Sequence, residues 1–155
     1  MKIRDDLKIV RDPYSGKDYV VVPPIIPDVA VVHAVKGDRF GGLTTIASRE
    51  DRLLAMAART TIAVVEQLVE PDEVLPGLQE VYVAPLHIDA VVPAAGGAHP
   101  TSCPGRYPVD AEHIRTYLEA ARDEAAFQEY LDRYILEPED HSAYLRKVGF
   151  SSHGK

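Results

Sequence analysis

The chain has 155 residues, 46% of them hydrophobic and 26% charged, and its 17 basic against 24 acidic side chains leave a net charge of -7. That length carries one domain with a real core, and the acidic balance argues against a nonspecific nucleic-acid surface or an anionic-membrane patch while leaving room for an anionic small molecule in one pocket. The single cysteine, Cys103, excludes both an internal disulfide and a cysteine-based zinc site and suits a reducing compartment. No signal-peptide pattern opens the chain and no apolar run approaches about eighteen residues. A cytoplasmic protein is expected, with neither nucleic acid nor membrane as partner.

Residues 1–16 are polar, and Asp12-Pro13-Tyr14-Ser15-Gly16 is rich in turn formers, so an irregular leading segment is expected there. Asp18 to Val22 reads as a short strand. Pro23, Pro24 and Pro27 then impose an extended connection to a second strand, Val29 to Val35. Val29, Ala30, Val31 and Val32 show no polar alternation, which predicts a strand covered on both faces, as in a parallel or mixed sheet. His33 and Asp38 follow near its carboxyl end, and Gly41-Gly42 leads into a further strand from Leu43 to Ala47. Ser48 has the character of a helix N-cap, and Leu53, Met56 and Ala57 form one apolar face of a helix running to about Arg59. Thr60 to Val65 is β-branched and reads as the next buried strand, with Glu66 just beyond it.

Val81 to Val83 and Ile88 to Val92 look extended, and the second leads into Ala94-Ala95-Gly96-Gly97-Ala98-His99-Pro100. From Asp110 the period becomes helical. Ile114, Tyr117, Leu118 and Ala121 make one stripe; Phe127, Tyr130, Leu131 and Tyr134 make another behind Asp123 as cap, and the aromatic members are expected to be core or interface. Pro138 ends that helix, and Ala143 to Val148 forms a last one closed by Gly149. The pattern implies an irregular segment (1–16), an α/β domain (17–149) with an open, mostly parallel sheet flanked by helices and a C-terminal helical segment, and a flexible tail (150–155).

Open α/β sheets hold ligands at the carboxyl ends of their strands. In the loop after the last strand, Gly96 and Gly97 can turn backbone N–H groups toward an anion or oxyanion and His99 can donate a hydrogen bond, or the loop is a sharp turn that merely needs glycine. His33 either lines the same crevice or is a hydrogen-bonded core histidine. Glu66 either pairs with a base or holds a loop, and Asp38 with Arg39 is a local ion pair or the rim of a site. Arg106 and Tyr107 either contact phosphate or a base or are surface residues. Cys103 has no activating neighbour in sequence. No two of the six histidines stand at a spacing that faces a helical metal site, so no metal is expected. GxGxxG, P-loop, HExxH, GxSxG and CxxC motifs are all absent from the sequence.

Taken in order, DPYSGKDYVVVP (12–23), PDVAVVHAVKGDRFGG (27–42), the helix and strand around 53–66, DAVVPAAGGAHPTSCPGRY (89–107), and FQEYLDRYI with DHSAYLRKVG resemble the C-terminal half of the alpha subunit of family I CoA-transferases of the glutaconate CoA-transferase type. The resemblance spans about residues 10–149. It implies the open α/β fold shared with sugar-phosphate isomerases and an assembly in which a beta subunit supplies a glutamate nucleophile, so no catalytic residue is expected in this chain. A second partner supplying the N-terminal half of the alpha subunit is implied as well. Coenzyme A esters are then substrates and no cofactor is bound. The loop Gly96, Gly97 and His99 would line the substrate or CoA pocket, with His33, Asp38 and Glu66 as supporting residues. The turn departs from the family pattern Ala-Asp-x-x-Gly-Asn, reading Gly37-Asp38-Arg39-Phe40-Gly41-Gly42. Two alternatives accompany this function: one component of a CoA-thioester or ring-opening hydrolase, and a noncatalytic assembly module of the same fold.

Overall fold

The computed structural model describes residues 6–151. Strands β3 (Val29–Ala34), β6 (Thr60–Val65) and β8 (Ala90–Pro93) form a parallel sheet in the order β3-β6-β8. A second, antiparallel sheet contains β4 (Lys36–Gly37), β5 (Leu43–Ile46) and β7 (Glu80–Val83). Helix α1 (Asp51–Ala57) precedes β6. Val32, Ala34, Leu43, Ala55, Ala63, Val65 and Val83 from these elements make one core cluster. The α/β class is therefore present, with the strand expected at Leu43 placed in an antiparallel sheet of its own.

Three local expectations change. Lys8–Arg11 is strand β1, paired antiparallel with β2 (Asp18–Val21), where the polar pattern predicts an irregular segment. The Asp12 carboxylate makes this hairpin by accepting the Tyr14 and Ser15 amides at 3.1 and 3.2 Å and the Ser15 hydroxyl; these bonds, the hydroxyl first, hold its pKa below the usual carboxylate value. Both strands are exposed throughout, so no apolar alternation marks β1.

Helix α1 begins at Asp51 rather than after Ser48, and Glu50 at its N-cap makes no side-chain cap bond. It stops at Ala57 because the next amides enter the sheet: Arg59 N–H donates to the Pro27 carbonyl at 2.9 Å and Thr60 N–H to that of Asp28 at 3.1 Å. Ala55 is its buried residue, while Leu53 and Met56, expected on the core face, are exposed.

The two-sided burial expected for β3 also fails. Ala30, Val32 and Ala34 are buried, whereas Val29 and Val31 are 56% and 62% exposed. The physical reason is coverage: α1 and the antiparallel sheet pack on one face, and the loop after β8 covers the other only at the strands' carboxyl ends, where Gly97 approaches Val64.

The C-terminal helices are α2 (Ala111–Ala120), α3 (Glu124–Leu131), which runs into a π-helical turn (Asp132–Leu136), and α4 (His141–Lys147). Asp110, Asp123 and Asp140 cap them by accepting the amides of His113, Ala126 and Ala143. The aromatic stripe packs between the helices as expected, with Tyr117 against Phe127 and Tyr130 at centroid separations of 6.0 and 5.5 Å. Phe150 packs on His99 and Tyr107 instead of opening a free tail; residues 152–155 of that expected tail lie outside the described residues.

His113 is buried in this bundle, its Nε2 2.9 Å from the Tyr130 hydroxyl, with Tyr134, His99 and Asp110 around it. Burial, followed by the neighbouring His99, lowers its pKa, against which Asp110 acts more weakly. The folded chain thus resists the proton that the unfolded chain accepts. Stability from this group is expected to hold above its ordinary value of 6.5 and to decline as the pH falls from there toward the folded pKa. Urea midpoints of wild type and His113→Gln between neutral and mildly acidic pH check this; equal slopes for the two would refute it.

Candidate functional site

Strands β3 and β6 run parallel with His33 opposite Val64, and the Glu66 amide extends the ladder by donating to the Ala34 carbonyl at 3.0 Å. Because strand side chains alternate, His33, Val64 and Glu66 emerge on one side of the sheet. His33 Nε2 lies 2.7 Å from Glu66 Oε1. The loop after β8 closes over this pair. Gly96 N–H donates to Glu66 Oε2 at 2.7 Å, and the Tyr107 hydroxyl donates to Glu66 Oε1 while accepting the Ala98 N–H at 3.0 Å.

The Glu66 carboxylate is buried, which by itself raises its pKa. The bonds from Tyr107, Gly96 and His33 outweigh that desolvation and hold the pKa below the usual glutamate value. Glu66 is therefore an anion at neutral pH. Burial first, and then the bond to Glu66, pushes the Tyr107 phenol far above its ordinary value, so Tyr107 keeps its proton as donor. Tyr107 is set in place by backbone bonds with Cys103, at 3.1 Å from Cys103 N–H and 3.0 Å to the Cys103 carbonyl.

Beside this cluster lies a cleft of about 540 Å³ lined by Val35, Glu66, Gly96, Gly105, Arg106 and Tyr107 among others. Arg106 is held at its edge by donating to Gln67 Oε1 at 2.9 Å. Gly97 and His99 face a separate, aromatic cavity of about 360 Å³ with Tyr130, Tyr134, His141 and Tyr144. His99 is clamped there between the Tyr144 hydroxyl, 2.7 Å from Nδ1, and the Asp110 carboxylate, 3.2 Å from Nε2. Burial raises the Tyr144 pKa to about 12. Asp38 is buried elsewhere and caps its own turn, accepting the amides of Phe40 and Gly42 at 2.7 and 3.1 Å.

Of the residues singled out in sequence, His33, Glu66 and Gly96 thus converge, Gly97 and His99 adjoin the neighbouring cavity, and Asp38 is apart. The loop's amides are not open to an oxyanion. Gly96 N–H goes to Glu66, Gly97 N–H to the Ala94 carbonyl, Ala98 N–H to Tyr107 and His99 N–H to the Gly96 carbonyl. Glycine here serves close packing. Tyr107 and Cys103 complete the cluster without any local motif; strand parity pairs His33 with Glu66, but nothing short of the fold brings the 103–107 turn to them.

Residues 5–94 match the model of the Coenzyme A transferase family. The chain belongs to this family. Among curated CoA-transferase proteins, the A-subunit of glutaconate CoA-transferase from Acidaminococcus fermentans is 29% identical over 151 residues, 96% of this chain and 47% of that protein. The crystal structure of glutaconate coenzyme A-transferase from A. fermentans superposes with a TM-score of 0.80 at 28% identity, covering 94% of this chain and 46% of that one. A cysteine-to-serine variant of the decarboxylase AibA/AibB gives a TM-score of 0.66 at 37% identity over 82% of this chain and 47% of that chain. This CoA-transferase-family chain spans about half the length of these relatives.

Proposed function

We propose that the chain is the part of a CoA-transferase alpha subunit that builds one wall of a shared active site, moving CoA between an acyl-CoA and a carboxylic acid in the cytoplasm. The observation that carries this reading is the superposition on glutaconate coenzyme A-transferase over nearly the whole chain. The nucleophilic glutamate belongs to a beta subunit: its carboxylate attacks the thioester carbonyl and CoA thiolate leaves; the thiolate then attacks the glutamyl carbonyl of the anhydride, releasing the first carboxylate and giving an enzyme thioester, and the second carboxylate repeats both exchanges in reverse to take the CoA and free the glutamate. Here Glu66 is a poor candidate for that attack, since all its bonds hold it in place. Its role is to pin the Gly96 loop against Tyr107, and so to shape the cleft in which Gly96 and Arg106 meet the ligand. Gly97 and His99 support the loop from the aromatic side.

A partner that supplies the remaining half of the alpha subunit fits the open sheet face. Val29, Val31 and Val92 are exposed there, and β3 and β8 each have a partner strand on one side only among the described residues. No helix among the described residues is long and apolar enough to cross a membrane.

The test is reconstitution of this chain with a CoA-transferase beta subunit and a polypeptide supplying the N-terminal half of an alpha subunit, given an acyl-CoA and a free carboxylic acid. A new acyl-CoA whose formation depends on the acceptor is expected. Free CoA without acceptor dependence would instead establish a hydrolase, carbon dioxide release a decarboxylase, and no turnover in an assembled complex a noncatalytic module.

A further inference from the structure

We propose that His33, Glu66 and Cys103 form a binding site for a zinc-class divalent cation. A ligand nitrogen of His33, a carboxylate oxygen of Glu66 and Cys103 Sγ all lie within 4.8 Å of one another. Cys103 and Glu66 are buried and His33 nearly so, in contrast to the exposed acidic clusters that surfaces carry without any ion. The three come from the end of β3, the residue after β6 and the turn beyond β8, so the fold has gathered them from three separate segments.

The donor types point to the ion. One imidazole, one carboxylate and one thiolate are the mixed set that zinc accepts, whereas magnesium and calcium prefer oxygen alone. Two features of the cluster leave capacity for it. His33 Nε2 bonds Glu66, but its Nδ1 is buried without a hydrogen-bond partner. Cys103, the one cysteine in the chain, is fully buried beside the Glu66 anion. An orphaned buried ring nitrogen is costly to leave unused, and the thiol beside it is enclosed where it can reach a bound ion. Three protein ligands leave a further position for water, and Glu66 opens onto the 540 Å³ cleft. The count of one cysteine excludes a zinc site built on cysteines alone; the mixed set assembled here is non-local and needs only one, which corrects the expectation of no cysteine-based site.

Binding breaks the Cys103 S–H bond and forms a sulfur–metal bond, and the proton leaves to solvent. The thiolate is the ligand form, so metal and proton compete for Cys103. The proposal does not depend on the transferase reading, because it is read from metal binding by this chain alone.

The experiment is titration of the chelator-treated full chain with Co²⁺, followed by displacement with Zn²⁺. The expected result is stoichiometric binding with a near-ultraviolet thiolate-to-cobalt band that Zn²⁺ abolishes, and with release of a proton as the metal first binds. Since Cys103 is the only thiol, that band in the wild-type chain identifies the ligand even if variants fold poorly. Cys103→Ser is expected to remove the band, and His33→Gln to weaken binding at least about tenfold. Absence of the band in wild type, or stoichiometric binding unchanged in both variants, would overturn the site and leave the cluster as a hydrogen-bonded strut.

Discussion

Glu66→Ala is expected to cost the domain about 3 kcal/mol or more, from buried donors left without their acceptor at about 1–3 kcal/mol each, and to cost more than Glu66→Gln. Glu66 is the common acceptor for Tyr107, Gly96 and His33, and alanine leaves all three donors without it at a buried position. Glutamine keeps one carbonyl oxygen for one or two of them and confronts the rest with an amide donor, so about 2 kcal/mol is expected, in the range of one charged hydrogen bond. Urea unfolding of the two variants beside wild type measures the order, and amide exchange at Gly96 should quicken in both. A loss below about 1 kcal/mol for alanine would mean that the loop does not depend on its carboxylate anchor. The same anchor has a pH signature. Its folded pKa lies below the ordinary glutamate value of 4.5, so its contribution is present above that pH and is lost as acid carries the pH down through the folded value. That window lies below the one in which His113 begins to act.

Gly96→Ala is expected to cost about 3 kcal/mol, from left-handed backbone strain of roughly 1–2 kcal/mol and overpacking of roughly 1–3 kcal/mol. Gly96 has φ +77°, and a Cβ there would meet the Phe150 ring at 2.9 Å and Leu145 Cδ2 at 3.1 Å. Gly105 supplies the control. It has the same φ of +77° with nothing within 4 Å of its Cβ position, so Gly105→Ala should show only the backbone share, about 1 kcal/mol. Comparing the two in urea separates packing from strain, and equal losses would show that Phe150 and Leu145 yield freely. Because Phe150 also packs on Tyr107 at 5.0 Å between centroids, Gly96→Ala should disturb the Tyr107 environment, whereas Gly105→Ala should not disturb the ring packing.

Periodic segments were legible where burial dictates pattern. The β-branched run at Thr60–Val65, the cap Asp123 and the aromatic stripe of the C-terminal helices all follow from short-range chemistry. Strand β1, and with it the pairing to the expected strand β2, escaped because β1 is exposed and the hairpin turns on the Asp12 side chain. Helix α1 is shorter than its pattern because Arg59 and Thr60 bond to carbonyls of the preceding strand's lead-in, a competition invisible to a helical window. Apolar Val29 and Val31 signalled a buried strand, yet their face lacks a cover among the described residues.

By itself the sequence determined the α/β class, the order of the larger strands and helices from β2 onward, and the family resemblance, since these rest on local propensity, periodicity and motif order. His33, Glu66 and the Gly96 loop were recognisable as residue types at strand ends. Only the tertiary structure decided that Glu66 bonds His33, Gly96 and Tyr107 together, that His99 faces another cavity, and that Cys103 lies beside the carboxylate. The reason is separation along the chain: these groups meet through strand register and a turn closed by Cys103 and Tyr107, and neither leaves a fixed spacing in the sequence.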